Sequence, residues 1–174
     1  MKEFSTYNAG TEVPLRIVLK TIFFAGFCVG TLDILAALTD YYIATGKNPV
    51  VVLKFIASGF YGKQAFSGGT NMVFLGLLSH FIIAFIFTIF FFSVYPKIKF
   101  ISKYRIATGI IYGTFAWAVM NLIVLPLSNT PPISHTTFKV IKAILILVVM
   151  MGIPLSFIAH NCFYPSSVKW KDRN

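Results

Sequence analysis

Residues Asn71 to Val94 read NMVFLGLLSHFIIAFIFTIFFFSV, an apolar run without a single Asp, Glu, Lys or Arg. A hydrocarbon core about 30 Å thick is crossed by about 20 helical residues rising about 1.5 Å each. In lipid an isolated segment can satisfy its backbone N–H and C=O groups only as a helix. The run therefore predicts a membrane-spanning helix, and three more stretches share its character: Ile17 to Leu38, Ile106 to Leu127 and Phe138 to Phe163. No segment has the ten-residue alternation of a transmembrane barrel. The fold class expected is an all-α membrane protein, a four-transmembrane-helix bundle forming one domain over residues 1–174, without internal repeats.

Composition agrees. Hydrophobic residues make up 57% of the chain and charged residues 11%, with a mean hydropathy of +0.79. Soluble domains carry about 45–50% apolar and about 25% charged residues, so too few charges remain here to cover a water-facing surface. High hydrophobicity excludes a disordered chain, and two cysteines, Cys28 and Cys162, exclude a disulfide-built module. The net charge of +10 suggests nucleic acid at first sight. The basic residues flank the apolar runs, however, and do not form one stripe on a polar face. They read as membrane-boundary charges, which makes lipids the expected partner and leaves no nucleic acid among them.

Orientation follows from those charges. The loop between the second and third spans carries Lys97, Lys99, Lys103 and Arg105 with no acid, and so reads as a cytoplasmic anchor. Four spans then place both termini on the same side, where Lys2, Arg16, Lys20, Lys169, Lys171 and Arg173 add to the excess. Lys47, Lys54, Lys63, Lys139 and Lys142 fall outside. The first span is too long, and its leading segment too polar, for a cleaved signal peptide, so it is expected to be retained. Tyr41, Tyr42, Tyr95, Tyr104 and Trp170 fall beside span ends, where amphipathic rings anchor a bundle at the headgroups.

The outer segment from Thr39 to Thr70 contains a Gly46–Pro49 turn and an apolar stretch, Val50 to Phe60, too short to span. A short interfacial helix between spans 1 and 2 is expected there, lying in the headgroups, re-entrant, or packed across the outer mouth. Gly68-Gly69 breaks the chain before the second span.

Small residues recur at four-residue spacing as Gly26-x-x-x-Gly30 and Gly109-x-x-x-Gly113, a pattern that lets membrane helices approach closely. Pro154, beside Gly152, should bend the fourth span. Polar residues inside the spans are costly and usually meet a partner or a cavity. Counting along each helix places Asp33 about 24 Å and Asn121 about 22 Å above the inner ends, and His80 about 13 Å below the outer face. Asp33, His80 and Asn121 thus share the outer half and form a candidate polar pocket.

His160, about 33 Å from the outer end of its span, reads as an interfacial histidine at the inner edge. The difference in depth excludes His80 and His160 as axial ligands of one haem. Cys28 and Cys162 also lie at different depths, so neither a disulfide nor a thiolate metal site is indicated. Phosphate-loop, serine-elbow and zinc-protease motifs are absent from the sequence. No cofactor, metal or catalytic residue is expected.

Several ordered blocks carry a resemblance: Gly76-Leu-Leu-Ser-His80-Phe-Ile-Ile-Ala-Phe, Tyr95-Pro-Lys-Ile-Lys, Gly109-Ile-Ile-Tyr-Gly113, Met120-Asn-Leu-Ile-Val-Leu-Pro126-Leu-Ser and Gly152-Ile-Pro-Leu. Over roughly residues 55–160 they resemble the YagU-type bacterial inner-membrane proteins. The resemblance implies a bacterial cytoplasmic membrane and a four-helix fold, and brings no activity with it. Two functional classes follow. One is a structural or accessory subunit whose polar residues bond helices together, with a membrane-protein partner or a second copy. The other is a proton-coupled or small-solute protein using the Asp33, His80 and Asn121 pocket. An intramembrane enzyme ranks below both.

Overall fold

The computed structural model describes residues 13–97, 103–132 and 136–164. Lys2, Lys99, Lys169, Trp170, Lys171 and Arg173 lie outside the described residues. Among the described residues six helices occur in the order α1 (Leu15–Thr45), α2 (Val50–Tyr61), α3 (Gln64–Ser67), α4 (Thr70–Lys97), α5 (Arg105–Leu127) and α6 (Thr137–Phe163). No strand occurs among the described residues. Helices α1, α4, α5 and α6 are each long and apolar enough to cross a membrane, the pattern of a small multi-pass membrane protein. The two ends of the bundle are called the loop end, where α4 joins α5, and the α2 end.

The boundaries follow local chemistry. Helix α1 continues to Thr45, beyond the Leu38 limit expected from apolarity, because no Gly or Pro intervenes before Gly46. Gly46 then takes the left-handed conformation, φ 65°, and its N–H bonds the Tyr42 carbonyl at 2.8 Å, a glycine C-cap. The extension brings Asp40 into the helix. Gly68, extended at φ −66°, separates α3 from α4.

Helices α5 and α6 each contain a widened π turn, Met120–Val124 and Val148–Gly152. Each lies just before a proline, Pro126 or Pro154. A proline lacks the N–H for the carbonyl four residues back and its ring crowds that carbonyl, so a wider turn relieves both problems. At Pro154, where a bend is expected, the departure from regular helix is a π turn, and Pro126 has its counterpart.

Glycines set how closely the helices approach. A Cβ on Gly26 would stand 2.6 Å from the Phe85 ring, and one on Gly30 would stand 3.0 Å from Phe81, both on α4. A Cβ on Gly113 would meet Val148 Cα at 2.5 Å, and one on Gly109 would meet Ile153 Cα at 2.7 Å. The Gly109/Gly113 pair thus receives the wide turn of α6, with Gly152 packed on the backbone of both. Both four-residue glycine motifs pack within the chain.

The core gathers at the loop end. It is built from Ala25 and Val29 of α1, Phe87, Phe91, Phe92 and Tyr95 of α4, Tyr112 and Ala116 of α5, and Met151, Leu155 and Ala159 of α6. At the α2 end, by contrast, no residue of Met120–Val124, Leu125–Leu127 or Thr137–Leu147 is buried. Helix α2 packs against α4: Gly76, about 9 Å along that helix, lies against the Leu53 carbonyl with no room for a side chain. The far end of α2 is tied to the segment after α5, where the Asn129 N–H donates to the Gly59 carbonyl at 3.1 Å. Lys54, a residue otherwise suited to water, donates its Nζ to the Phe66 carbonyl at 3.2 Å.

Candidate functional site

His80 is half-buried on α4, and its Nε2–H donates to the Gly30 carbonyl of α1 at 2.8 Å. The bond is possible because Gly30 has no side chain to hold the helices apart. It also sets the tautomer, since a carbonyl can only accept, and leaves Nδ1 for a lone pair or a second proton. Asp33 follows Gly30 by three residues, nearly one turn, and is also half-buried. The His80 imidazole lies near enough to act electrostatically on the Asp33 carboxyl. Even so, the Asp33 carboxylate has no hydrogen-bond or ion-pair partner among the described residues. Asn121, the third residue grouped with them by depth, sits in the π turn of α5 and donates its amide to the Trp117 carbonyl of its own helix at 3.0 Å. His80 bonds α1 at Gly30, one turn from Asp33, and not at Asp33 itself; the bond described for Asn121 is local.

A second acid stands on the same face of α1, because seven residues are almost two full turns. This is Asp40, whose carboxylate pairs with Lys142 of α6 at 2.7 Å. Both partners are about one-third exposed, so solvent weakens the pair. Sequence reading treated Thr39 to Thr70 as a connecting segment and so did not weigh Asp40. Its i, i+7 relation to Asp33 was the available signal.

Polar groups are also concentrated at the loop end. Tyr95 is fully buried, and its hydroxyl is hydrogen-bonded to His160 Nδ1 at 3.3 Å. Ser156, also fully buried, donates to the Arg105 carbonyl at 2.7 Å. Tyr112 donates its hydroxyl to the Phe87 carbonyl at 2.5 Å. Together these bonds tie α4, α5 and α6. Tyr95 is therefore a core residue and not a headgroup anchor, and His160 turns inward to it. The cause is covalent geometry: Tyr95 lies one turn beyond Phe91 on the buried face of α4, and its ring packs at 5.3 Å from Phe91 and 6.1 Å from Phe163. Tyr42 and Tyr104 are exposed, as headgroup rings would be.

Of the basic residues placed at the loop end, Lys97 and Lys103 are exposed, and Lys103 lies over the Tyr104 ring at 5.4 Å. The Arg105 guanidinium lies 5.8 Å from the Phe157 ring of α6. No group of three His, Cys, Asp or Glu side chains suited to a metal occurs among the described residues. Cys28 and Cys162 are free thiols. Compared with known proteins, the chain matches no family model, no curated protein and no solved structure.

Proposed function

We propose that this protein is a structural or accessory subunit of a membrane assembly. The observation that carries the reading is the asymmetry of burial along α5 and α6. Their loop-end halves are packed into the core, while Met120–Leu127 and Thr137–Leu147 contribute no fully buried residue. A partner helix seated on those α2-end halves would complete their packing. The polar side chains fit the same role, because His80, Tyr112 and Ser156 are engaged with backbone carbonyls of neighbouring helices. Such bonds hold membrane helices together, each giving about 0.6–2 kcal/mol.

The test is site-specific photocrosslinking in native membranes. A photoreactive residue at Leu122 or Leu145 is expected to give one discrete protein adduct, and the same residue at Phe23, near the loop end of α1, none. Lipid adducts alone at all three sites would refute the subunit reading. The bacterial inner membrane, cytoplasmic termini and kinship with the YagU-type proteins belong to this proposal; the residue blocks from Gly76 to Leu155 and the basic loop support them.

A second reading has an observation of its own. Asp33, half-buried beside His80 and without a bond partner among the described residues, suits a proton or a small cationic solute reaching the site from the α2 end.

A further inference from the structure

Between α4 and α5 the helices are joined by rings and not by close backbones: Phe90 stacks on Phe115 at 5.7 Å, and Phe91 meets Tyr112 at 4.5 Å. Beside these rings, toward the loop end, is a cleft of about 190 Å³ walled by Phe90, Phe91, Val94, Ile111, Tyr112 and Phe115. It opens sideways, since Phe90, Ile111 and Phe115 are 48%, 64% and 40% exposed. In a spanning bundle that lateral mouth faces lipid chains. The hydroxyl of Tyr112 is engaged with Phe87, and that of Tyr95, at the floor, with His160. The walls therefore present hydrocarbon and ring faces, which suit an aliphatic chain and not a polar solute.

The chain leading away from the cleft has the opposite character. Lys97 follows Tyr95 by two residues, and Lys103 and Arg105 precede Thr108, which also lines the cleft. From Tyr41 to Lys171 the sequence contains no Asp or Glu, and of the two acids in α1, Asp40 is already paired with Lys142. The cations at this end therefore draw no counter-charge from the helices around them. An anionic phospholipid supplies what both parts of the site lack, an acyl chain for the cleft and a phosphate for the lysines.

We propose that the α4–α5 cleft binds one acyl chain of an anionic phospholipid whose phosphate sits at Lys97 and Lys103. The experiment reconstitutes the full chain in phosphatidylcholine vesicles containing a minor fraction of phosphatidylglycerol, extracts it into a neutral detergent, and measures retained lipid by native mass spectrometry. The native protein should retain phosphatidylglycerol over phosphatidylcholine. Lys97→Gln with Lys103→Gln should lower that retention about tenfold or more. Ile111→Trp, which fills the cleft without touching a charge, should lower it as well. Where Ile111→Trp reduces the melting temperature, Val94→Phe is the smaller filler to use.

Equal retention of the two lipids by the native protein overturns the proposal. So does unchanged retention in the cleft-filling variants, which would mean that the lysines hold a headgroup alone. Retention gained only when Glu3, Glu12 and Asp172 are neutralised also overturns it, since the terminal acids would then be the counter-charge.

Discussion

His80 carries two separable roles, and its two ring nitrogens allow them to be tested apart. Nε2 reaches the Gly30 carbonyl, while the imidazole as a whole is the titratable group near Asp33 among the described residues. A glutamine amide can keep the first role, because its nitrogen takes nearly the place of Nε2, but it cannot take a charge. His80→Gln should therefore leave thermal stability in detergent close to that of the native protein, whereas His80→Leu should lose about 1 kcal/mol with the interhelical bond. The second role appears in a cycle. If Asp33 and His80 form one site, Asp33→Asn should have an effect that differs by about 0.5 kcal/mol or more between the native and His80→Gln backgrounds. Additive effects would remove the polar-pocket reading. Asn121 is different in kind: its amide is spent on the Trp117 carbonyl, a back-bond within its own helix. Depth along a helix is readable from the chain, but the face on which Asn121 stands was set by the π turn around it.

At the scale of elements, the same sequence motif does two jobs. Gly26-x-x-x-Gly30 accepts rings, since Phe85 and Phe81 lie where a Cβ would be, and a ring can turn aside. Gly109-x-x-x-Gly113 accepts backbone, since Val148, which opens the wide turn, and Ile153, which follows it, lie there and cannot move without their helix. Adding a methyl group to a close-packed contact costs about 1–3 kcal/mol where the neighbour cannot yield. Gly113→Ala and Gly152→Ala should fall in that range when melting is followed by helicity in detergent, and Gly26→Ala should cost less. A Gly26→Ala loss equal to that of Gly113→Ala would mean that ring mobility does not relieve the first contact. The glycine spacing was visible in the chain. What each pair receives was not, because the π turn that fills the second groove belongs to another helix, more than thirty residues away.

For the whole molecule, the packed core at the loop end and the unburied α2-end halves of α5 and α6 give the bundle an internal polarity. The basic residues between α4 and α5 predict its direction in the membrane. Single cysteines at Ser102 and Ser134, in a background lacking Cys28 and Cys162, test this. An impermeant thiol reagent applied to intact cells should label Ser134→Cys and spare Ser102→Cys, and the reverse pattern would invert the topology. Four spans, their order and the break at Gly68-Gly69 were determined by the sequence alone, because the cost of an unpaired backbone in hydrocarbon leaves a long apolar run only one structure. The same holds for the glycine pairs and for the departure from regular helix beside Pro154, which are properties of single residues. Tertiary structure alone decided that Tyr95 and His160 turn inward to each other, that α2 lies on Gly76, and that Asp40 pairs with Lys142. Each of those contacts joins residues from different helices, and the rotation of a helix about its axis is fixed by what its neighbours can accommodate; with every face of these spans nearly equally apolar, no periodicity in the chain could declare it.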